Sequence, residues 1–194
     1  MEHFSDNREF DLYRDINTRT NGEIYIGVVG PVRTGKSTFI KRFMDLMVLP
    51  FMEDEHARER TIDELPQSAA GKTIMTTEPK FIPKEAVSVD LYGENQVKVR
   101  MIDCVGYIVQ EAEGIREEEN ERMVMTPWSK EPMPFSEAAE FGTRKVIHDH
   151  STLGIVVTTD GSFGEISREA YVPAEERTIQ ELKSIGKPFV VLLN

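Results

Sequence analysis

The chain has 194 residues, 39% of them hydrophobic and 29% charged, with a formal net charge of −11. That suffices for one domain with a sizeable core, and the acidic balance argues against general nucleic-acid binding, which runs on Lys and Arg neutralising phosphates. A single cysteine, Cys104, excludes an internal disulfide, the acidic start MEHFSDNREFD is no signal peptide, and no apolar run reaches the roughly 18 residues of a membrane span, so a reducing, cytoplasmic setting is expected.

In chain order, residues 1–22 form a polar segment ending in the turn signal TRTNG. EIYIGVVG (23–30) is short, apolar and rich in β-branched residues, which predicts a buried parallel strand. A helix follows in KSTFIKRFMDLMVLP, where Phe39, Ile40, Phe43, Met44 and Met47 recur at helical spacing and Pro50 lies just beyond. Residues 51–78 lack sustained periodicity, apart from a short helix expected around EDEHARERTIDEL. AVSVDLY and QVKVRMIDCVG, separated by GEN, alternate as a β-hairpin does.

Residues 107–134 read as a second long loop, with an acidic run, EEENE, and the segment TPWSKEPMP, where Trp128 is expected to anchor the loop by packing. SEAAEFGTRKVIHDH predicts a helix with Ser136 as its N-cap. LGIVVTTD is a strand, VPAEERTIQELKSIG a helix closed by Gly186, and KPFVVLLN a last strand. The order β-α-β-β-α-β-α-β implies an α/β fold: a mixed, mostly parallel sheet with one antiparallel strand and helices on both faces. His56, His148 and His150 are expected at the surface, and Cys104 as a small buried residue.

The chemistry begins in the turn after the first strand. Gly30-Pro31-Val32-Arg33-Thr34-Gly35-Lys36-Ser37 satisfies G-x-x-x-x-G-K-S/T, and Thr38 continues it into the helix. Glycines let the backbone approach phosphates, and loop N–H groups with the helix N-terminus face the anion. Lys36 is the candidate for the β- and γ-phosphates and Ser37 for Mg²⁺. GKT at 71–73 shares only the motif's tail; Pro66 stands where the first Gly belongs. Asp103-Cys104-Val105-Gly106 closes the hairpin's second strand as D-x-x-G, with Asp103 a Mg²⁺ candidate and the Gly106 N–H a γ-phosphate donor. Thr76 and Thr77 lie between the two motifs, as candidates to sense the γ-phosphate, with Thr77 also a metal candidate. Both long loops, 51–78 and 107–134, are expected to gain order when phosphate and Mg²⁺ bind.

GPVRTGKSTFIKRFM, DELPQSAAGKTIMTTEPKF, DCVGY, TPWSKEPMPFSEAAEFGTRKVI and TTDGSFGEI together resemble the family of spore coat morphogenetic ATPases, stage IV sporulation protein A, over about Glu23–Asn194. The phosphate loop and D-x-x-G are widespread; the linking stretches are far more specific. The resemblance implies a P-loop NTPase of the translation-factor-related (Ras-like) type that uses ATP and Mg²⁺. It implies that hydrolysis drives self-assembly into a shell in the mother-cell cytoplasm, peripheral to the outer forespore membrane. The implied partners are further copies of the protein, a small amphipathic membrane-anchoring peptide and other coat proteins. Carried over, Lys36 is the phosphate-loop lysine, Asp103 the Mg²⁺-associated aspartate, and Thr76 and Thr77 the sensor threonines. The family's middle and C-terminal domains lie beyond Asn194, so residues 23–194 are expected to be the ATPase domain, cut after its fifth strand.

Relatives that use GTP read guanine with N-K-x-D after that strand. Asn194 stands in the place of the Asn, and the chain stops before the Asp, which leaves adenine and guanine open on residues alone. Tyr107 stands where many relatives carry a water-orienting Gln. Arg33 stands where some relatives hold a potassium ion with an Asn, and its guanidinium is a candidate for a fixed positive charge there. Three functions compete: an ATPase gating assembly, a GTPase switch releasing a partner, and a nucleotide-bound scaffold that does not hydrolyse.

Overall fold

The computed structural model describes residues 22–66, 78–91, 95–112, 116–117, 120–162 and 165–194. Its centre is β1 (Glu23–Val29), whose side chains alternate between two layers of helices. β1 leads through the phosphate loop into α1 (Lys36–Phe43). That helix runs on as a π-helical turn (Met44–Val48) and a 3-10 turn (Leu49–Phe51) holding Pro50. Ile40, Met44 and Val48 form its inward stripe. α2 (Glu55–Glu64) is the short helix expected there; Asp54 caps it by accepting the N–H groups of His56 and Ala57 at 2.9 and 3.1 Å.

β2 (Lys80–Leu91) pairs antiparallel with β3 (Asn95–Asp103). It starts well before the expected Ala86. A register shift between Ile82 and Val87, a stretch containing Pro83, breaks the alternation that marks a strand in sequence. Within 107–134, expected as loop, lie two short antiparallel ladders: β4 (Arg116–Glu117) with β5 (Asn120–Glu121), and β6 (Met123–Val124) with β7 (Met133–Pro134).

α3 (Phe135–Lys145) continues as a π-helical turn, Val146–His150. Ser136 is not its N-cap. Pro134 occupies that position, and the N–H of the fully buried Phe135 goes to the Arg122 carbonyl at 2.7 Å; the Ser136 hydroxyl instead meets the Glu121 carboxylate. After β8 (Leu153–Thr158) comes α4 (Arg168–Ser184), which begins four residues before the expected Val172. Ser167 caps it, Pro173 sits inside it, and the buried stripe Tyr171, Ala174, Thr178 and Leu182 holds it to the sheet. Gly186, at φ 64°, follows its end, and β9 (Phe189–Leu193) completes the sheet.

The strand order is β2-β3-β1-β8-β9, all parallel except β2. Val28, Met101, Ile155 and Val157 pack with Ile40, Met44 and Val48 on one face. Their neighbours Val29, Ile102 and Val156 pack with Val146, Ile147, Tyr171 and Leu182 on the other. The expected α/β architecture with helices on both faces is thus present. Among the described residues, no helix is long and apolar enough to cross a membrane. The register sets Val28 opposite Asp103, so the end of β3 lies beside the loop that leaves β1. That is the carboxyl edge of the parallel strands, where open α/β sheets hold ligands.

Candidate nucleotide-binding site

The loop from Gly30 to Gly35 is braced from three sides. Gly30 has φ 128°, and a Cβ there would collide with the Val157 carbonyl of β8. The buried Thr34 hydroxyl donates to the Pro31 carbonyl at 3.0 Å. The Asn194 side-chain amide donates to the Thr34 carbonyl at 3.1 Å, and its backbone N–H bonds the Thr158 carbonyl at 2.9 Å. Asn194 therefore reaches the phosphate loop from the end of β9.

Lys36 is 5% exposed, and its ammonium folds back onto the Pro31 carbonyl at 2.5 Å. Ser37 Oγ donates to Asp103 Oδ2 at 2.8 Å. Asp103 Oδ1 is buried and meets no donor among the described residues. Burial pushes the Lys36 ammonium below its ordinary range and the Asp103 carboxyl above its own. In each case desolvation outweighs the mutual attraction of the two groups. A magnesium–triphosphate fits this arrangement: phosphate oxygens for Lys36 and the loop N–H groups, and a hard cation for Ser37 Oγ and the orphaned Oδ1.

Arg33 is half-buried and has φ 62°. For a non-glycine residue that conformation costs about 1–3 kcal/mol and clusters at functional sites. Its charge reaches the Tyr171 hydroxyl on α4. Thr76 and Thr77, like the GKT stretch at 71–73, lie outside the described residues.

The segment after Asp103 lies along the phosphate loop. Tyr107 N–H donates to the Gly30 carbonyl at 3.1 Å, and the Tyr107 carbonyl accepts from Val32 N–H at 2.9 Å. Gly106, at φ 95°, is so close that an added Cβ would stand 2.6 Å from Lys36 Nζ and collide with the Gly30 carbonyl. Its N–H points elsewhere, to Thr143 Oγ1 of α3 at 3.1 Å. The Tyr107 side chain is 1% exposed, donates its hydroxyl to Glu181 at 2.5 Å, and lies under the Arg177 guanidinium at 4.3 Å. Arg177 in turn grips Glu140 with two bonds of 2.7 and 2.9 Å. The residue in the water-orienting position is thus turned into the interior. Cys104 is buried and its thiol is pushed up to about 11 by that burial, as suits a packing residue and not a nucleophile.

A family model described as the ATPase domain of stage IV sporulation protein A matches residues 7–194. The chain belongs to the stage IV sporulation protein A family. It is 60% identical over 184 residues to the stage IV sporulation protein A of Bacillus subtilis (strain 168), and 59% identical to those of Bacillus anthracis and Clostridioides difficile (strain 630). Each comparison covers 95% of this chain but only 37–38% of the relative, so the chain spans little more than a third of the curated proteins it matches.

In this member of the stage IV sporulation protein A family, the site also contains side chains that motif reading passed over: Thr143, Glu140, Arg177 and Glu181. The one available signal was that Thr143 and Glu140 lie in the distinctive stretch PFSEAAEFGTRKVI. Of the residues judged peripheral, Trp128 packs on Phe141 at 5.1 Å as expected. His56 is exposed and His148 stands 3.8 Å from Glu181 at the surface, but His150 packs edge-on against Phe81 at 5.6 Å.

The geometry predicts that Tyr107→Gln does not create a water-orienting group. It should remove a buried ring and its hydroxyl bond, lowering stability by roughly 2–4 kcal/mol, with no gain in hydrolysis. Chemical denaturation beside steady-state turnover checks this; a stable variant with faster turnover contradicts it.

Proposed function

We propose that this domain binds and hydrolyses ATP with Mg²⁺, and that in the longer protein hydrolysis drives self-assembly of the basal layer of the spore coat on the forespore surface. The observation that carries the reading is the Ser37–Asp103 bond with its orphaned Asp103 Oδ1 beside the buried Lys36. The match to a model named as an ATPase domain supports the choice of nucleotide.

In this reading the backbone from Gly30 to Thr38 cradles the phosphates at the N-terminus of α1. Lys36 neutralises the β- and γ-phosphates, and Gly106 supplies an N–H to the γ-phosphate. Ser37 and Asp103 hold the magnesium ion, with Thr77 as a further ligand; Thr76 and Thr77 sense the γ-phosphate. When bound, the ion neutralises charge developing on the phosphate oxygens. Asn194 keeps the loop in place beneath the nucleotide. Residues 23–194 constitute the ATPase domain. In the longer protein the partners are further copies of itself at the mother-cell side of the outer forespore membrane, with an amphipathic anchoring peptide and other coat proteins.

Arg33 takes the part of the missing cation. Arg33 lies within the phosphate loop with a left-handed backbone, and in this reading its guanidinium supplies a fixed charge that stabilises the transferring group.

Turnover of ATP and GTP by the full-length protein, measured side by side, tests the nucleotide. ATP should be the preferred substrate, and a preference for GTP would replace this reading with that of a GTPase switch. For Arg33, turnover should be the same in sodium and potassium buffers, and Arg33→Ala should lower it about 10³-fold. A potassium requirement in the unmutated protein contradicts the role given to Arg33.

A further inference from the structure

Gly106 lies against Lys36 Nζ, the group that marks the γ-phosphate end of the cradle, yet its single N–H is spent on Thr143 Oγ1. Thr143 is fully buried on α3. Its hydroxyl donates back to the Ala139 carbonyl at 2.8 Å, which leaves an oxygen lone pair to accept the Gly106 N–H. One hydroxyl therefore ties the last residue of the D-C-V-G segment to α3. A threonine inside a helix commonly bonds its own i−4 carbonyl, so that bond alone carries no message. The second bond does. It crosses 37 residues of sequence and ends on the N–H that a γ-phosphate needs.

We propose that Thr143 is a positioning residue that sets the ATP-over-ADP selectivity of the site, by acting as the resting acceptor for Gly106 N–H until a γ-phosphate takes its place. This rests on the nucleotide reading above and adds a regulator to it. A donor with one hydrogen serves one acceptor well, so the γ-phosphate must win Gly106 from Thr143. ADP has no oxygen at that position and leaves the resting bond intact. The bond thus lowers affinity for the triphosphate alone. When Gly106 leaves, α3 loses an anchor, which gives the nucleotide a route to the face that carries Glu140 and its partner Arg177.

The test uses the full-length protein and equilibrium binding of ADP and of a non-hydrolysable ATP analogue. Thr143→Val keeps the shape and deletes the oxygen acceptor, so the resting Gly106 N–H keeps only the weak acceptor sulfur of Cys104. The ATP-analogue affinity should rise about tenfold relative to ADP, with ADP affinity unchanged, because a poorly paired buried donor is costly only in the resting arrangement. Thr143→Ser, which retains the hydroxyl, should match the unmutated protein. A purely structural role would weaken both nucleotides together. Amide resonances of glycine-labelled, unmutated protein give a second measurement that needs no variant: the Gly106 signal should move with the ATP analogue and stay in place with ADP. If the unmutated protein binds neither nucleotide, the nucleotide reading itself fails. If it binds both, and the ratio in Thr143→Val is unchanged or lower, or Gly106 responds equally to both ligands, only the role of Thr143 is overturned.

Discussion

Lys36, buried at the start of α1, and the half-buried Asp103, at the end of β3, lie near one another, and desolvation works against both charges. An ammonium and a carboxylate taken out of water repay that cost only with close, well-satisfied partners. Here Lys36 has one loop carbonyl, and Asp103 has one serine hydroxyl with an oxygen left over. The register of β1 against β3 imposes this arrangement, because it sets Asp103 level with the start of the phosphate loop. An anion on the lysine side and a cation on the aspartate side complete both shells at once. The architecture around them exists to hold that unfinished pair in position.

Two layers of helices do the holding. On one face α1 packs through Ile40, Met44 and Val48, fixing the helix whose N-terminus faces the loop. On the other, α3 and α4 close over the segment after Asp103 through Val146, Ile147, Tyr171 and Leu182. Tyr107 is the meeting point. Its backbone bonds the phosphate loop in both directions, while its side chain is clamped by Glu181 and Arg177 of α4, and Arg177 by Glu140 of α3. The segment beside Lys36 is thereby linked to the outer helices through a short chain of bonds. A residue so tightly held is well suited to transmitting position and poorly suited to moving a proton.

Much of this was legible in the sequence, for physical reasons that differ by element. Buried parallel strands need contiguous apolar runs, so EIYIGVVG, LGIVVTTD and KPFVVLLN stood out. A phosphate loop needs contiguous backbone, so Gly30 to Ser37 was readable as a unit. Asn194 was expected in the place of the base-reading Asn, but its bond to the Thr34 carbonyl of the phosphate loop was not legible. Element starts were less visible. The irregularity near Pro83 hid the first half of β2, Pro173 masked the true start of α4, and Pro134 displaced Ser136 from its cap. The network around Gly106 and Tyr107 was invisible, since its partners are 37 and 74 residues away in sequence and become neighbours only through the fold.

The central claim is that hydrolysis at the Lys36 site drives assembly. Light scattering by the full-length protein, recorded together with phosphate release, tests it most directly. ATP should give both signals, and a non-hydrolysable analogue or Lys36→Ala should give neither. Full assembly with the analogue, or in Lys36→Ala, would contradict the account and leave a nucleotide-bound scaffold in its place.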